Sequence, residues 1–281
     1  MLVLWVAPLV LGVLMMLCWL AGGTLSAPAN HARPASPAED GVRAVTFSGL
    51  HGWWLAASRP AGDCALLMHG VRADRTAMLG RARWFQQHGY HALLFDFQAH
   101  GESPGEQITF GYRESANAHA AVDFMRNSGQ CQRIVAVGQS LGGAAALLGS
   151  APIKVEALVL ESVYPAIEDA VADRLEIRLG RPGRWLAPLL YWQIPWRLGI
   201  PLDALHPENA IRQLRSPVLI MAGSADRHTH PDEARRLYAN APGPKWFREV
   251  AGAQHQDLYR YAPDAYAAQL QSFLGQTLPR P

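Results

Sequence analysis

Charge is scarce in this chain and nearly balanced. Its 281 residues carry 25 Lys and Arg against 23 Asp and Glu, a formal net charge of +2, and only 17% are charged. No basic run tracks a phosphate backbone, so nucleic acid is not an expected partner. Lysine occurs only at Lys154 and Lys245, and no function follows from that bias towards arginine. Cysteine is confined to Cys18, Cys64 and Cys131. No Cys/His spacing resembles a zinc site, so no metal is expected. Internal repeats are absent, which sets aside solenoids and propellers.

The first 25 residues have no charged side chain at all, and Leu2 to Leu20 is almost wholly apolar, broken only by Pro8 and Gly12. That length suffices to cross ~30 Å of hydrocarbon as a helix. Lacking a basic flank before the apolar run, residues 1–25 read as a transmembrane anchor or uncleaved signal. The small residues Ser26, Ala27 and Ala29 leave a cleaved signal as the alternative, with secretion as its consequence. Residues 26–41, rich in Pro, Ala and Ser, read as a flexible linker.

From Val42 onward, short apolar strands alternate with amphipathic helices. Eight strands are expected near Val42–Phe47, Trp53–Ala57, Ala65–Met68, Tyr90–Phe95, Ile134–Val137, Ala157–Leu160, Val218–Met221 and Trp246–Val250. Such continuous apolar strands between helices predict an α/β domain over 42–281, with a mainly parallel sheet covered on both faces. The stretch from about 164 to 206 breaks the alternation and is too long for an ordinary crossover. It reads as a small helical cap, with Trp185, Tyr191, Trp192 and Trp196 as candidate pocket residues.

One five-residue stretch carries the chemistry. Gly138-Gln139-Ser140-Leu141-Gly142 follows the β-branched run Ile134–Val137 and precedes small residues suited to a helix. Strand, sharp turn and helix together make a nucleophile elbow, with glycines where side chains would clash. A serine hydroxyl needs a base within reach, and the base needs a carboxylate to fix its tautomer. Asp226 ends a strand and His255 follows the last one, in the chain order Ser140, Asp226, His255. Glu161 is the rival acid, and His228 and His230 are rival bases. The backbone N–H groups of Leu141 and Val71 are the expected oxyanion donors.

These residues resemble serine hydrolases of the α/β-hydrolase superfamily, especially the membrane-associated branch near BEM46-like and monoacylglycerol-lipase-like proteins. The resemblance lies in Leu66–Gly70, Phe95–Ser103, Gly138–Gly143, Ala222–Asp226 and Gly252–His255, and covers about Val42 to Gly275. Gln254 departs from the pattern, in which a glycine is common. The resemblance implies an eight-stranded α/β-hydrolase fold and no organic cofactor. It implies nucleophile Ser140, acid Asp226 and base His255. Asp96 and Gly101 are then structural parts of a strand-end loop. Its sheet order makes the strands holding Cys64 and Cys131 parallel neighbours, so a disulfide between them is an expectation. That bond fits a domain on the extracytoplasmic side. The expected substrate is a small-molecule carboxylic ester, and the anchor and cap favour a lipophilic acyl chain. A peptidase or amidase of the same fold is the alternative. A non-catalytic membrane-tethered interaction domain is a second.

Overall fold

The structure, a computed structural model, describes residues 2–31 and 41–279; for residues 2–8 and 11 it describes only the backbone. The strands are β1 (Ala29–Asn30), β2 (Val42–Phe47), β3 (Leu50–Leu55), β4 (Asp63–Met68), β5 (Tyr90–Phe95), β6 (His100–Gly101), β7 (Arg133–Gln139), β8 (Ala157–Glu161), β9 (Val218–Gly223) and β10 (Lys245–Val250). The longer helices are α1 (Leu2–Ser26), α2 (Leu79–Gln87), α3 (Glu114–Asn127), α4 (Leu141–Leu147), α5 (Ile167–Leu179), α6 (Ala187–Tyr191), α7 (Ile194–Leu198), α8 (Pro231–Asn240) and α9 (Pro263–Thr277).

Eight of the strands form one sheet in the order β10-β9-β8-β7-β4-β5-β3-β2. The β2–β3 and β3–β5 pairs are antiparallel and the rest parallel. Every residue of β4, β5, β8 and β9 is buried. Strands covered on both faces have no solvent side, which is why they read as unbroken apolar runs. On one face α2 and α9 pack through Phe85, Leu270 and Phe273. On the other, α3, α4 and α5 pack through Met125, Ala145 and Ile167. The chain direction across the sheet reverses at β4, which lies between β5 and β7. Crevices open beyond strand C-termini at such a reversal, and this one holds the candidate site.

The expected disulfide is present. Cys64 on β4 and Cys131 just before β7 are bonded, with Cα atoms 5.4 Å apart. The pair sits at the sheet edge opposite the elbow, because β4 and β7 run parallel in register.

The N-terminal region departs from the sequence expectation. Leu2–Ser26 is one 25-residue helix. Among the described residues, however, no helix is long and apolar enough to cross a membrane. The C-terminal half of α1 lies against the domain: Gln193 Nε2 donates to the Cys18 carbonyl at 2.9 Å, and Arg197 and Arg72 donate to the carbonyls of Trp19 and Thr24. The flexible linker expected over 26–41 falls partly outside the described residues, and its first part is not a tether. Ser26 is buried, its carbonyl accepts the Ile108 N–H at 2.8 Å, and β1 pairs with β6 in parallel. Backbone pairing satisfies groups that a free linker would leave to water, and no apolar pattern announces it.

Candidate active site

The turn between β7 and α4 holds Ser140 at φ +48°, ψ −111°. A non-glycine residue there is strained, and the surrounding structure must hold it. Its N–H donates to the Glu161 carbonyl at 2.8 Å, and its own carbonyl accepts the Ala144 N–H at 3.0 Å. A Cβ on Gly138 would lie 2.6 Å from the Gly143 backbone, and one on Gly142 would run into the carbonyl oxygens of Met68 and His69. Both glycines are therefore steric necessities of the turn.

Two further loops meet at this sheet edge. Asp226, just past β9, is 2% exposed and accepts from His255 Nδ1 through Oδ2 at 2.9 Å. Its Oδ1 accepts the N–H groups of His228 and Thr229 at 2.8 and 3.0 Å. Burial opposes ionisation of Asp226, but the His255 hydrogen bond and charge and the two amides outweigh it, so its pKa lies below the usual aspartate value. Gln139 Nε2 donates to the Gln256 carbonyl at 3.4 Å, which fastens the His255 loop to the elbow.

The rivals are occupied elsewhere. His228 meets Asp226 through its backbone, and its ring lies 5.0 Å from that of His255. His230 precedes α8 and its ring approaches Asp173 at 3.7 Å. Glu161 is fully buried and takes Arg81 Nε at 2.9 Å and Nη2 at 2.5 Å, with the Tyr266 hydroxyl as a third donor. An acid tied up in this way has no lone pair aimed at a base.

Leu141 opens α4, where a backbone N–H has no partner one turn back. Leu141, Val71 and Ser140 all line one cavity of about 520 Å³. The loop after β4 that carries Val71 is held by His69, a residue the sequence reading did not single out. Its Nε2 accepts the Phe97 N–H at 3.1 Å, so Nδ1 carries the proton and donates to the Gly70 carbonyl at 2.7 Å. Burial, with the charge of His100, lowers the His69 pKa to about 3, and the ring stays neutral. Asp96 is structural as expected: it accepts the Arg75 N–H at 2.7 Å and the Glu102 N–H at 2.9 Å. A side chain on Gly101, at φ +49°, would strike its carboxylate.

The cap is helical, but its tryptophans do not line the cavity. Trp185 and Trp196 are 82% and 78% exposed, Trp192 is more open than buried core residues, and Tyr191 packs on the core instead. The inward wall belongs to α5, where Ile167, Val171, Arg174 and Arg178 recur every three to four residues with Leu175 beside them. That helical spacing was the available signal; ring size was not. Ala21, Thr24 and Leu25 of α1 complete another wall.

A sheet reversing at β4, an elbow serine beside it and an acid–histidine pair on the next loops define a hydrolase architecture. The family model described as alpha/beta hydrolase matches residues 50–269, and the chain belongs to that family. It is 27% identical over 264 residues to the uncharacterized protein YfhR of Salmonella typhi, covering 84% of this chain and 82% of that one. It is also 27% identical over 241 residues to the alpha/beta hydrolase domain-containing protein WAV2 of Arabidopsis thaliana, covering 81% and 73%. Among solved structures, it is similar in fold to the Pyrococcus furiosus esterase Pf2001, with a TM-score of 0.70 at 20% identity over 89% of this chain and 99% of that one.

Proposed function

We propose that the protein is a serine esterase working through an acyl-enzyme. His255 takes the Ser140 proton as Oγ attacks the ester carbonyl, and the Leu141 and Val71 amides hold the resulting oxyanion. Asp226 stabilises the imidazolium. Collapse of the intermediate expels the alcohol, which leaves with the proton from His255. Water, deprotonated by His255, then attacks the acyl-enzyme, and the freed acid departs from Ser140.

The observation that carries this reading is Ser140 itself, held at φ +48° and lining an apolar cavity with both oxyanion candidates. Strain of that kind persists only where the surrounding structure over-determines it, and it gathers at reactive groups. The cavity walls favour an ester with an apolar chain. In Ser140→Ala, kcat on p-nitrophenyl esters should fall by about 10⁴-fold or more. Unchanged turnover would refute the reading. Turnover of peptide amides in preference to esters would move it to the amidase alternative.

A membrane-facing, extracytoplasmic location is part of the same proposal. The uncharged N-terminal segment, the exposed Trp185 and Trp196 and the Cys64–Cys131 bond support it. Fractionation of cells making the full chain tests it: salt-resistant recovery with membranes is expected, and recovery as a freely released protein points to a cleaved signal.

A further inference from the structure

The cavity above Ser140 is mainly apolar, yet α5 sends a guanidinium into it. Arg174 lies on the helix face that also carries Ile167 and Val171, and it lines the cavity together with Ser140 and Leu141. It is partly buried. Its hydrogen bond donates to the Ala170 carbonyl one turn back, at 3.1 Å, and it makes no ion pair among the described residues. Of the nearby carboxylates, Asp173 takes Arg184 through Oδ1 at 2.6 Å and Asp226 takes His255, and neither forms an ion pair with Arg174 among the described residues. An arginine has five N–H donors and keeps its charge in proteins. The donors left over are not sealed in the core, so an oxyanion that enters the cavity can reach them and replace water with charge-assisted hydrogen bonds. Burial pulls the Arg174 pKa below the usual arginine value, in keeping with a charge short of partners. Arg178, one turn further along α5, lines the same cavity.

We propose that Arg174, with Arg178 behind it, receives a carboxylate or phosphate borne by the substrate, so that the enzyme prefers anionic amphiphilic esters. The scissile carbonyl lies at Ser140, an apolar chain runs along Ile167 and Val171, and the anionic group meets the guanidinium. A planar guanidinium suits such oxyanions because it offers two parallel N–H groups. This inference rests on the serine-esterase reading. The Arg174 charge also faces Tyr164, Asp173 and Asp226. An effect routed through Asp226 would alter anionic and neutral esters alike, whereas direct recognition alters their ratio.

The test uses the full chain and matched p-nitrophenyl esters of equal chain length, one series ending in methyl, one in carboxylate and one in phosphonate. The readout is the ratio of kcat/KM for each charged ester to that of its methyl counterpart. Arg174→Gln should lower that ratio by about tenfold or more at the preferred length, chiefly through KM, as expected for losing a charge-assisted hydrogen-bonded pair. Arg174→Lys should keep part of it. Arg126→Gln, an exposed arginine on α3, should leave it unchanged. The larger effect between the carboxylate and phosphonate series identifies the anion. A ratio in Arg174→Gln within about threefold of wild type at every length overturns the proposal, and any larger fall upholds it. If the variants fail to fold, inhibition of the wild-type enzyme decides. Alkyl phosphonates or dicarboxylates should inhibit neutral-ester hydrolysis at lower concentration than alkanols of the same length, and equal inhibition overturns the proposal. Absence of turnover on every ester overturns the serine-esterase reading and this proposal with it; turnover with an unchanged ratio overturns this proposal alone.

Discussion

Glu161 and Asp226 end at neighbouring strands of one sheet, and both are buried at its C-terminal edge. Their surroundings differ in kind. Glu161 meets a buried arginine and a buried tyrosine, partners that neutralise it and hold helices α2 and α9 to the sheet. Asp226 meets backbone amides on one oxygen and the His255 imidazole on the other. His255 is 17% exposed, so this second pair opens towards the cleft while the first is sealed. Position at a strand end made both residues candidates; the partners of Glu161 mark it as structural, and those of Asp226 leave it facing a histidine.

Exchanging each carboxylate for its amide breaks the comparison most directly. Asp226→Asn keeps the shape but reverses the tautomer preference of His255, and kcat on an ester should fall by about 10⁴-fold with little change in the denaturation midpoint. Glu161→Gln should do the reverse. It removes one of the two carboxylates that Arg81 meets, leaving Asp257 at 2.8 Å, and stability in urea should drop by about 1–3 kcal/mol while kcat changes far less. An activity loss in Glu161→Gln as large as that in Asp226→Asn, in protein that remains folded, would erase the distinction.

The opposite sheet edge sharpens it. Replacing both Cys64 and Cys131 by alanine should cost about 3 kcal/mol of stability by freeing the unfolded chain, with kcat unaffected, because the bond lies at the far end of β4 and β7 from Ser140. A third carboxylate supplies the smallest effect. Burial and the nearby Asp173 push the Glu233 pKa up to about 8, so Glu233 holds its proton at neutral pH. Its folded pKa exceeds the unfolded value, so its contribution is complete below about pH 4.5 and is lost as pH rises through 8. Between pH 7 and 9 stability should fall by about 1 kcal/mol, a value discounted for partial solvent screening, and Glu233→Gln should flatten that slope. Urea titrations at several pH values measure both.

The frame of the molecule was legible because it rests on local pattern. Val42–Phe47 and Tyr90–Phe95 have the limits that their apolar pattern and flanking residues predict. The elbow was legible because two glycines and a strand–helix switch are needed for one turn. Illegible features depend on contacts between distant segments. Nothing local in Ala29–Asn30 announces a partner at His100–Gly101, and that pairing turns the start of an expected linker into part of the body. The cap shows the same limit. Its tryptophans were chosen for size, but Trp185 and Trp196 face outward and α5 supplies the wall. Arg174 was passed over because an arginine on a helix ordinarily faces solvent; only the packed cap turns it inward.

The central claim is that Ser140 is a nucleophile activated by His255. Treating the full chain with a fluorophosphonate and locating the adduct by peptide mass spectrometry tests it most directly. The account predicts a single adduct on Ser140, abolished in Ser140→Ala and strongly slowed in His255→Ala. A folded protein that gives no adduct, or one whose adduct lies on another residue, would contradict it.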